Sequence, residues 1–240
     1  MTLEGSYLIY AVILAGGTSK RLGKKLPKQF VQVGGKVLLL WSVSTFLEVA
    51  EIAKIVIVLP EEWFEFGKHL VLSNVRADKL QFVSGGGTRT ESLLRALHFV
   101  QENYGLKDDD MAVTHDAARP FVRKEHIVHS IELCEKSSAA TLALPATDTV
   151  GVSDGEKLVG LTERSRTFMV QTPQTFRIKV FLELYERLTE DQRASLTDAT
   201  GVFILNGQPV AIVEGDPTNI KVTTEFDLTI AEKIAELLSK

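Results

Sequence analysis

Residues 7–17 read YLIYAVILAGG, a continuous apolar run that ends in a pair of glycines. A short, uninterrupted apolar run of this kind is typical of a strand that is covered on both faces in a parallel sheet. The glycines come where the chain must turn at the carboxyl end of that strand, the edge at which ligands bind in open α/β sheets. The stretch therefore predicts an α/β fold with a binding loop directly after its first strand.

Similar apolar runs recur along the chain, and segments with helical spacing separate them. The predicted strands are Tyr7–Leu14, Lys54–Leu59, Leu80–Val83, Met111–His115, Ala139–Pro145 and Pro209–Val213. The predicted helices are Val37–Ala50, Glu61–Val71, Glu91–Tyr104, Lys124–Glu135, Ile178–Leu188 and Glu225–Leu238. This alternation predicts a mostly parallel, twisted sheet in a three-layer α/β domain.

The alternation breaks between Thr147 and Gln171, where two short β-like pieces flank a turn signal. The pieces are TVGVS and KLVGL, and the signal between them is Asp154-Gly155. This pattern predicts a hairpin that protrudes from the sheet. Because no linker rich in Pro, Gly or Ser divides the chain, we expect a single domain over residues 1–240, with residues 147–171 as an arm.

Composition excludes several classes of function. The 240-residue chain has a formal net charge of -4, which argues against nucleic-acid binding because that normally needs a basic face. The first apolar run is too short to cross a bilayer and follows no basic leader, so we expect a cytoplasmic protein with no membrane partner. The one cysteine, Cys134, excludes an intramolecular disulfide and a Cys-rich metal site, and its apolar helical surroundings predict a buried thiol.

Positive charge is concentrated just after the glycine pair. Five of the nine residues from Lys20 to Lys28 are Lys or Arg, and no carboxylate occurs between Gly5 and Leu47. Two such charges 4 Å apart repel by about 4 kcal/mol at an effective dielectric of ~20, which a bound polyphosphate would relieve. Glycine lets backbone N–H groups approach an anion closely, and Pro27 stiffens the segment that presents Lys28. A solvated basic loop is the alternative, since the spacing matches neither a Walker A loop nor G-x-G-x-x-G.

The stretch LAGGTSKRLGKKLPKQF at residues 14–30 resembles the nucleotide-binding loop of the cytidylyltransferases that activate sugar-alcohol phosphates. Six further blocks resemble this family in the same order: SGGGTRTES at 84–92, THDAARP at 114–120, ATDTV at 146–150, QTPQTF at 171–176, LTDA at 196–199 and NIKVTTEFDL at 219–228. The resemblance covers nearly the whole chain. It implies a Rossmann-like nucleotidyltransferase domain that joins the CMP of CTP to a polyol phosphate and releases pyrophosphate.

The resemblance assigns the nucleotide to both glycine-rich stretches. It implies that the CTP phosphates contact Ala15, Gly16, Gly17, Arg21 and Lys28. By the same resemblance, Arg21, Lys28 and Lys221 stabilise the charge of the transition state, and Gly86 and Ser92 read the cytosine. A helix that begins after the second glycine stretch is also expected to offer free N–H donors. Many members of the family carry an acidic residue where Gly87 stands here.

For the acceptor, the resemblance implies five binding residues: Asp116, Arg119, Thr149, Arg164 and Thr197. It also implies a homodimer in which the arm of one subunit completes the site of the other. A lone carboxylate near polyphosphate suits Mg²⁺, which usually takes one or two carboxylates plus phosphate oxygens, so Asp116 is the predicted metal ligand. Asp216 or Asn219 is expected near the same ion.

The residues alone leave other interpretations open. Asp116 could pair with Arg119 or cap a helix, Arg164 could be a surface residue beside Glu163, and Lys221 could face solvent on an edge strand.

Two branches of the family fit the sequence almost equally. The blocks ILAGG, ATDTV and LTDA resemble the ribitol 5-phosphate branch of teichoic-acid synthesis, whereas AARP and ERSRTFMVQTPQ resemble the 2-C-methyl-D-erythritol 4-phosphate branch of isoprenoid synthesis. We expect D-ribitol 5-phosphate to be the preferred acceptor, with the second polyol phosphate as the alternative. A guanylyl- or uridylyltransferase and a non-catalytic nucleotide-binding regulator are the more remote readings.

Overall fold

Strands and helices alternate along most of the chain, as the apolar pattern predicts. The computed structural model describes residues 7–17 and 26–238. The strands in these ranges are β1 (Ile9–Leu14), β2 (Gln32–Val33), β3 (Lys36–Val37), β4 (Ile52–Leu59), β5 (Leu80–Ser84), β6 (Met111–Asp116), β7 (Ala139–Pro145), β8 (Gly151–Ser153), β9 (Leu158–Leu161), β10 (Phe168–Arg177) and β11 (Ala211–Glu214). The helices are α1 (Leu38–Leu47), α2 (Phe64–Asn74), α3 (Arg89–Tyr104), α4 (Lys124–Lys136), α5 (Ile178–Glu186), α6 (Glu190–Ser195), α7 (Thr200–Leu205) and α8 (Glu225–Leu238).

Seven strands form the central sheet, in the order β11-β7-β10-β6-β1-β4-β5. The strands β6, β1, β4 and β5 run parallel to one another, β11 runs parallel to β7, and β10 is antiparallel to both of its neighbours. The predicted α/β class with a mostly parallel sheet is therefore confirmed. The carboxyl ends of β1 and β6 meet at one edge of the sheet, because Leu14 pairs with Asp116 in their parallel register.

Alternate residues of β1 supply the cores on the two faces of the sheet. Ile9, Ala11 and Ile13 pack with buried residues of α1 and α4 on one face. Tyr10 and Val12 pack with buried residues of α3, α5 and α7 on the other. This burial of both faces explains why the strand reads as an uninterrupted apolar run, and it produces the three predicted layers.

The sequence pattern did not predict β10 as a strand of the central sheet. Its first three residues are exposed, and its buried part, QTPQTF, is mostly polar, so it lacks an apolar strand signal. The buried polar groups find their partners across the sheet: Thr114 Oγ1 donates to the carbonyl of Gln174 over 3.2 Å, and Thr141 Oγ1 donates to the carbonyl of Gln171 over 3.2 Å. Hydrogen bonds across the sheet, rather than a run of buried apolar side chains, thus hold this strand in the sheet.

The predicted hairpin is present as a separate two-stranded sheet of β8 and β9. At its base, Thr162 N donates to the carbonyl of Val150 and Ala146 N donates to the carbonyl of Thr167, each over 2.9 Å. Of the predicted arm, residues 147–171, the last residue, Gln171, is buried in the central sheet, so "the arm" below means residues 147–170, which comprise this hairpin and the exposed start of β10. Its large exposed apolar side chains are Val152, Leu158, Val159, Leu161, Phe168, Met169 and Val170.

Cys134 lies buried on α4 with a free thiol, as predicted. Burial raises the pKa of this thiol to about 12, so it stays protonated and unreactive at neutral pH. No helix within residues 7–17 and 26–238 is long and apolar enough to span a membrane.

Candidate active site

A cleft of about 400 Å³ opens between the loop after β1, the loop before α3 and the end of β6. This is the ligand edge that the glycine pair predicts. Eight of the predicted site residues line the cleft: Ala15, Gly16, Gly17, Lys28, Gly86, Ser92, Asp116 and Lys221. The lining also includes residues that sequence reasoning did not single out, among them Gln29, Thr88 and Arg89.

The two glycine-rich loops pack directly against each other. A Cβ atom added to Gly16 would lie 3.6 Å from the Cα of Gly85 and 3.2 Å from Ser92 Oγ. A Cβ added to Gly85 would in turn lie 3.3 Å from the Cα of Gly16. A Cβ atom at either position would crowd Ser92 Oγ, and one at Gly85 would also crowd the backbone of Gly16, so this packing favours glycine independently of any ligand.

Side chains of α3 hold the second glycine loop in place. Gly86 N donates to Ser92 Oγ over 3.0 Å, and Gly87 N donates to Glu91 Oε2 over 2.8 Å. Thr88 caps the helix, since its Oγ1 accepts from Glu91 N over 3.1 Å. The amides of Gly86, Gly87 and Glu91 thus already have side-chain partners within the chain, so they are not among the free N–H donors expected at this helix start.

Gln29 fixes the first glycine loop from beneath. Its buried side chain donates from Nε2 to the carbonyl of Ala15 over 2.7 Å and to the carbonyl of Gly17 over 3.0 Å. These bonds tie the loop to the short 3-10 turn at residues 28–30, which follows Pro27. No local sequence signal marks Gln29, because its partners are visible only when the loop folds back on itself.

Asp116 lies at the end of β6 between two cations. Arg89 Nε donates to Asp116 Oδ1 over 2.9 Å, and Lys221 Nζ lies 2.7 Å from Asp116 Oδ2. Burial opposes ionisation of this carboxyl, but the charges of Arg89 and Lys221 outweigh it and hold the pKa of Asp116 well below its usual range. Asp116 is thus an anion at neutral pH, and Arg119 is not its ion-pair partner.

A buried histidine supports the backbone of Asp116. His115 Nε2 donates to the carbonyl of Arg119 over 2.9 Å, and its Nδ1 lies 2.9 Å from Thr172 Oγ1. Thr172 Oγ1 also accepts from Asp116 N over 3.1 Å, so a neutral imidazole completes the set of donors and acceptors. Burial lowers the pKa of His115 to about 4. His115 is therefore a neutral supporting residue rather than an acid or base.

The two predicted catalytic lysines come from distant segments and meet at the cleft. Lys28 Nζ donates over 3.0 Å to the carbonyl of Val222, which is the residue after Lys221. The same segment is tied to the end of β6, because Val222 N donates to the carbonyl of Ala118 over 2.8 Å. Lys28 thereby holds the segment that carries Lys221. The side chain of Lys221 is 42% exposed, and its ammonium group lies at the cleft against Asp116.

Four other predicted site residues lie outside the cleft lining. The side chain of Arg119 donates to the carbonyl of Asn219 over 2.9 Å and to that of Val170 over 3.4 Å. Arg164 is exposed on the arm, where its Nη1 lies 3.5 Å from the carbonyl of Thr147. Thr149 is also exposed on the arm, and Thr197 is exposed in the loop between α6 and α7. Arg21 lies outside the described residues, as do Lys20, Lys24 and Lys25.

Carboxylates near the cleft offer few ligands to a metal ion. Asp216, proposed from the sequence as a neighbour of the ion, is instead paired with Arg123 over 2.7 Å, and its other oxygen accepts from Thr218. Within the described residues, no group of three or more His, Cys, Asp or Glu side chains could hold a metal ion. Asp116 is the carboxylate that lines the cleft, so a divalent cation bound there would need substrate oxygens as further ligands.

A mostly parallel sheet that is covered on both faces, with a glycine loop and a cationic cleft at its ligand edge, is typical of α/β enzymes that bind phosphorylated ligands. Comparison with known proteins agrees with this class and narrows it. The chain belongs to the IspD family, 2-C-methyl-D-erythritol 4-phosphate cytidylyltransferase, which matches residues 9–237. The protein is therefore an enzyme of the cytidylyltransferase type, and the resemblance found in its sequence blocks is confirmed.

Individual relatives cover nearly the whole chain. A ribitol-5-phosphate cytidylyltransferase from Lactiplantibacillus plantarum is 34% identical over 230 residues, which are 95% of this chain and 99% of the relative. The 2-C-methyl-D-erythritol 4-phosphate cytidylyltransferase of Francisella tularensis superimposes with a TM-score of 0.80 at 27% identity, covering 95% of this chain and 99% of the other. A 4-diphosphocytidyl-2C-methyl-D-erythritol synthase from Anaerococcus prevotii gives 0.79 at 26% identity, covering 98% and 99%.

Proposed function

We propose that the enzyme transfers CMP from CTP to the phosphate of a polyol phosphate, with D-ribitol 5-phosphate as the preferred acceptor, and releases pyrophosphate. One observation carries this proposal. Three segments that are far apart in sequence line a single cleft at the ligand edge of the sheet, and they contribute Gly16, Gly17 and Lys28, Asp116, and Lys221. The L. plantarum relative, a ribitol-5-phosphate cytidylyltransferase at 34% identity, supports this acceptor. The family description favours 2-C-methyl-D-erythritol 4-phosphate as the second candidate.

The reaction requires positioning more than proton transfer. An oxygen of the acceptor phosphate attacks the α-phosphorus of CTP, a new P–O bond forms, and the bond to the β-phosphate oxygen breaks as pyrophosphate leaves. A phosphate monoester has a second pKa near ~6, so the attacking group is already largely dianionic at neutral pH. The enzyme consequently needs no general base, which suits the neutral, fully engaged His115 beside the cleft.

Fixed positive charge supplies the main catalytic effect in this proposal. Among the described lining residues, Lys28, Arg89 and Lys221 carry positive charge and Asp116 carries negative charge. This excess of cations attracts the triphosphate and offsets the repulsion between the two substrates. We assign to Lys28 and Lys221, together with Arg21 in the neighbouring loop, the stabilisation of charge on the phosphorus in the transition state.

The two glycine loops form the nucleotide-binding part of the proposed site. Backbone of Ala15, Gly16 and Gly17 lines the cleft, and among the described residues a Cβ atom added to Gly17 would meet no other group within 4 Å. We propose that this backbone contacts the phosphates of CTP, chiefly at Gly16 and Gly17, because Ala15 N already donates to the carbonyl of Val58 over 2.9 Å. Gly86 and Ser92 line the cleft beside it and are proposed to contact the cytosine.

Asp116 fits a Mg²⁺ ion that arrives with the nucleotide. The carboxylate is ionised, lines the cleft, and would be the protein ligand of such an ion. When bound, the cation would neutralise part of the charge on the triphosphate and polarise its phosphoryl oxygens.

The arm is the proposed dimerisation element. Its seven large exposed apolar side chains form a surface that monomeric proteins rarely leave open to water. We propose that two subunits exchange their arms, so that Thr149 and Arg164 of each arm bind the acceptor phosphate in the other subunit's cleft, together with Arg119 and Thr197. Arginine is well suited to this task, because its planar fork matches two phosphate oxygens.

Measuring pyrophosphate release with CTP, Mg²⁺ and each of the two acceptors tests the proposal. We expect turnover with both polyol phosphates and a higher kcat/KM for D-ribitol 5-phosphate. Acceptors that differ by a hydroxyl or a methyl are separated by only about 1–3 kcal/mol, so specificity constants rather than single rates are needed. A higher kcat/KM for 2-C-methyl-D-erythritol 4-phosphate would reverse the acceptor assignment. Absence of pyrophosphate with every pair would instead favour a nucleotide-binding regulator.

The proposal places the enzyme in the cytoplasm. A single cysteine, Cys134, leaves the chain without an intramolecular disulfide, which fits a reducing compartment.

A further inference from the structure

Arg89 has an unusual set of contacts in the cleft. It is the first residue of α3 and lines the cleft directly after the second glycine loop. Its Nε donates to Asp116 Oδ1 over 2.9 Å. Its two terminal nitrogens, Nη1 and Nη2, are buried and have no hydrogen-bond partner among residues 7–17 and 26–238. One part of the guanidinium is therefore anchored, and the other part finds no acceptor in the described part of the chain.

A neighbouring arginine shows what the fold provides when an arginine has a structural role. Arg95, on the same helix, donates from Nη1 to the carbonyl of Gly85 over 2.8 Å. The fold thus gives this side chain a backbone acceptor, as expected for a partly buried donor. Within the described residues it gives none to the terminal nitrogens of Arg89.

We propose that Arg89 is a substrate-binding residue whose Nη1 and Nη2 bind two oxygens of one phosphate group, while its Nε stays on Asp116. A guanidinium fork matches a phosphate in this paired geometry, and the cleft is already cationic. Asp116 then has a second role besides metal binding, because it fixes the plane of the Arg89 guanidinium before substrate arrives. This inference rests on the proposed function and adds a phosphate contact to it.

The phosphate has two sources, the triphosphate of CTP and the phosphate of the polyol, and the experiment separates them. Affinities are measured by calorimetry for wild type, Arg89→Lys and Arg89→Met with CTP, cytidine, inorganic tripolyphosphate, D-ribitol 5-phosphate and ribitol. Lysine retains the charge beside Asp116 but has one donor centre in place of a fork. We expect each variant to lose about 10-fold or more in affinity for the contacted phosphate ligand, since hydrogen bonds to charged groups are among the stronger ones. Cytidine and ribitol should bind as they do to wild type.

Arg177→Met is the matched control. Arg177 is also paired with an aspartate, Asp109, but it lies at the opposite edge of the sheet, where β10 meets the start of β6. Its loss should leave all five affinities unchanged. Thermal unfolding of each variant shows whether the fold is intact.

Each outcome decides the proposal. A loss limited to CTP and tripolyphosphate assigns Arg89 to the nucleotide, and a loss limited to D-ribitol 5-phosphate assigns it to the acceptor. Unchanged affinities in both variants overturn the inference, as does an equal loss for cytidine and CTP, which would mean a purely structural role. If wild type binds tripolyphosphate through Arg89 but not CTP, the inference stands and the proposed function fails. If it binds none of the phosphate ligands, both fail.

Discussion

The cleft and the arm differ in how their side chains are satisfied: the charged groups of the cleft have partners in the same chain, whereas the large apolar groups of the arm are exposed. In the cleft, charged groups such as Asp116 and Lys221 are held by short contacts within one chain, and glycine backbones pack against each other. On the arm, Leu158 and Leu161 are 72% and 67% exposed. The side chain of Arg164 lies there at a distance of 3.5 Å from the carbonyl of Thr147. A single chain therefore assembles the cleft that we assign to the nucleotide, whereas the acceptor site that we propose needs the arm of a second subunit. The following predictions test this division.

Charging the arm should have the largest effect. Burying a leucine side chain contributes about 1.5–3 kcal/mol, so Leu158→Asp with Leu161→Asp should weaken the proposed dimer by roughly 10³-fold or more. Sedimentation velocity across a dilution series measures this change. Leu237→Asp is the control, since Leu237 is equally exposed, at 70%, but lies on α8. A wild type that sediments as a monomer at every concentration, with full activity, would contradict the exchange of arms.

Removing a lysine from the cleft should act on the chemical step. Lys28→Met and Lys221→Met should each lower kcat by about 10² or more, the order seen when a preorganised charge-stabilising donor is lost. Steady-state pyrophosphate release at saturating substrates measures it. Lys233→Met, an exposed position on α8 paired with Glu236, is the control. Turnover near that of wild type would remove the tested lysine from the mechanism.

Filling the second glycine loop should weaken nucleotide binding. A Cβ atom at Gly86 would lie 2.5 Å from the Cβ of Glu91, so Gly86→Ala must displace the start of α3 and break the bond to Ser92 Oγ. We expect the KM for CTP to rise roughly tenfold, as for the loss of one or two hydrogen bonds.

Gly160→Ala on the arm provides a control for folding, because its nearest neighbour would be 3.9 Å away. The two variants can be compared by thermal unfolding. If Gly86→Ala had the unfolding temperature of wild type and the same KM for CTP, the tight packing of this loop would not contribute to nucleotide binding.

Lowering the pH should gradually reduce the free energy of unfolding through His115, which supports the backbone of Asp116. The pKa of His115 is lowered to about 4, so between about pH 6.5 and 4 the unfolded chain binds the proton that the folded protein excludes. The free energy of unfolding should therefore fall as pH decreases through this window, by at most about 1.4 kcal/mol per pH unit. Urea denaturation at a series of pH values measures the slope.

His115→Gln should reduce the slope relative to wild type. A slope that is the same in both proteins would show that His115 does not titrate during unfolding.

Much of the fold and part of the site could be predicted from local sequence. Ala15–Gly17 and Asp116 follow apolar strands, and the parallel register of β1 and β6 brings those strand ends together. The pairing of Asp116 with Arg89 could not be predicted, because the partners are 27 residues apart and only the packing of α3 brings them into contact. Gln29 was missed for the same reason: its partners, the carbonyls of Ala15 and Gly17, are backbone groups of another segment.

The strand β10 connects the arm to the cleft, and this limits how the protein can be re-engineered. Its residues Phe168 to Val170 are exposed with the arm, whereas the run from Gln171 onward is buried, and Thr172 supports Asp116. The peptide bond between Val170 and Gln171 is thus the innermost junction for a chimaera. A hairpin borrowed from a relative and spliced before that bond replaces the arm, with Thr149 and Arg164, and keeps the support of the cleft. A splice beyond it removes that support.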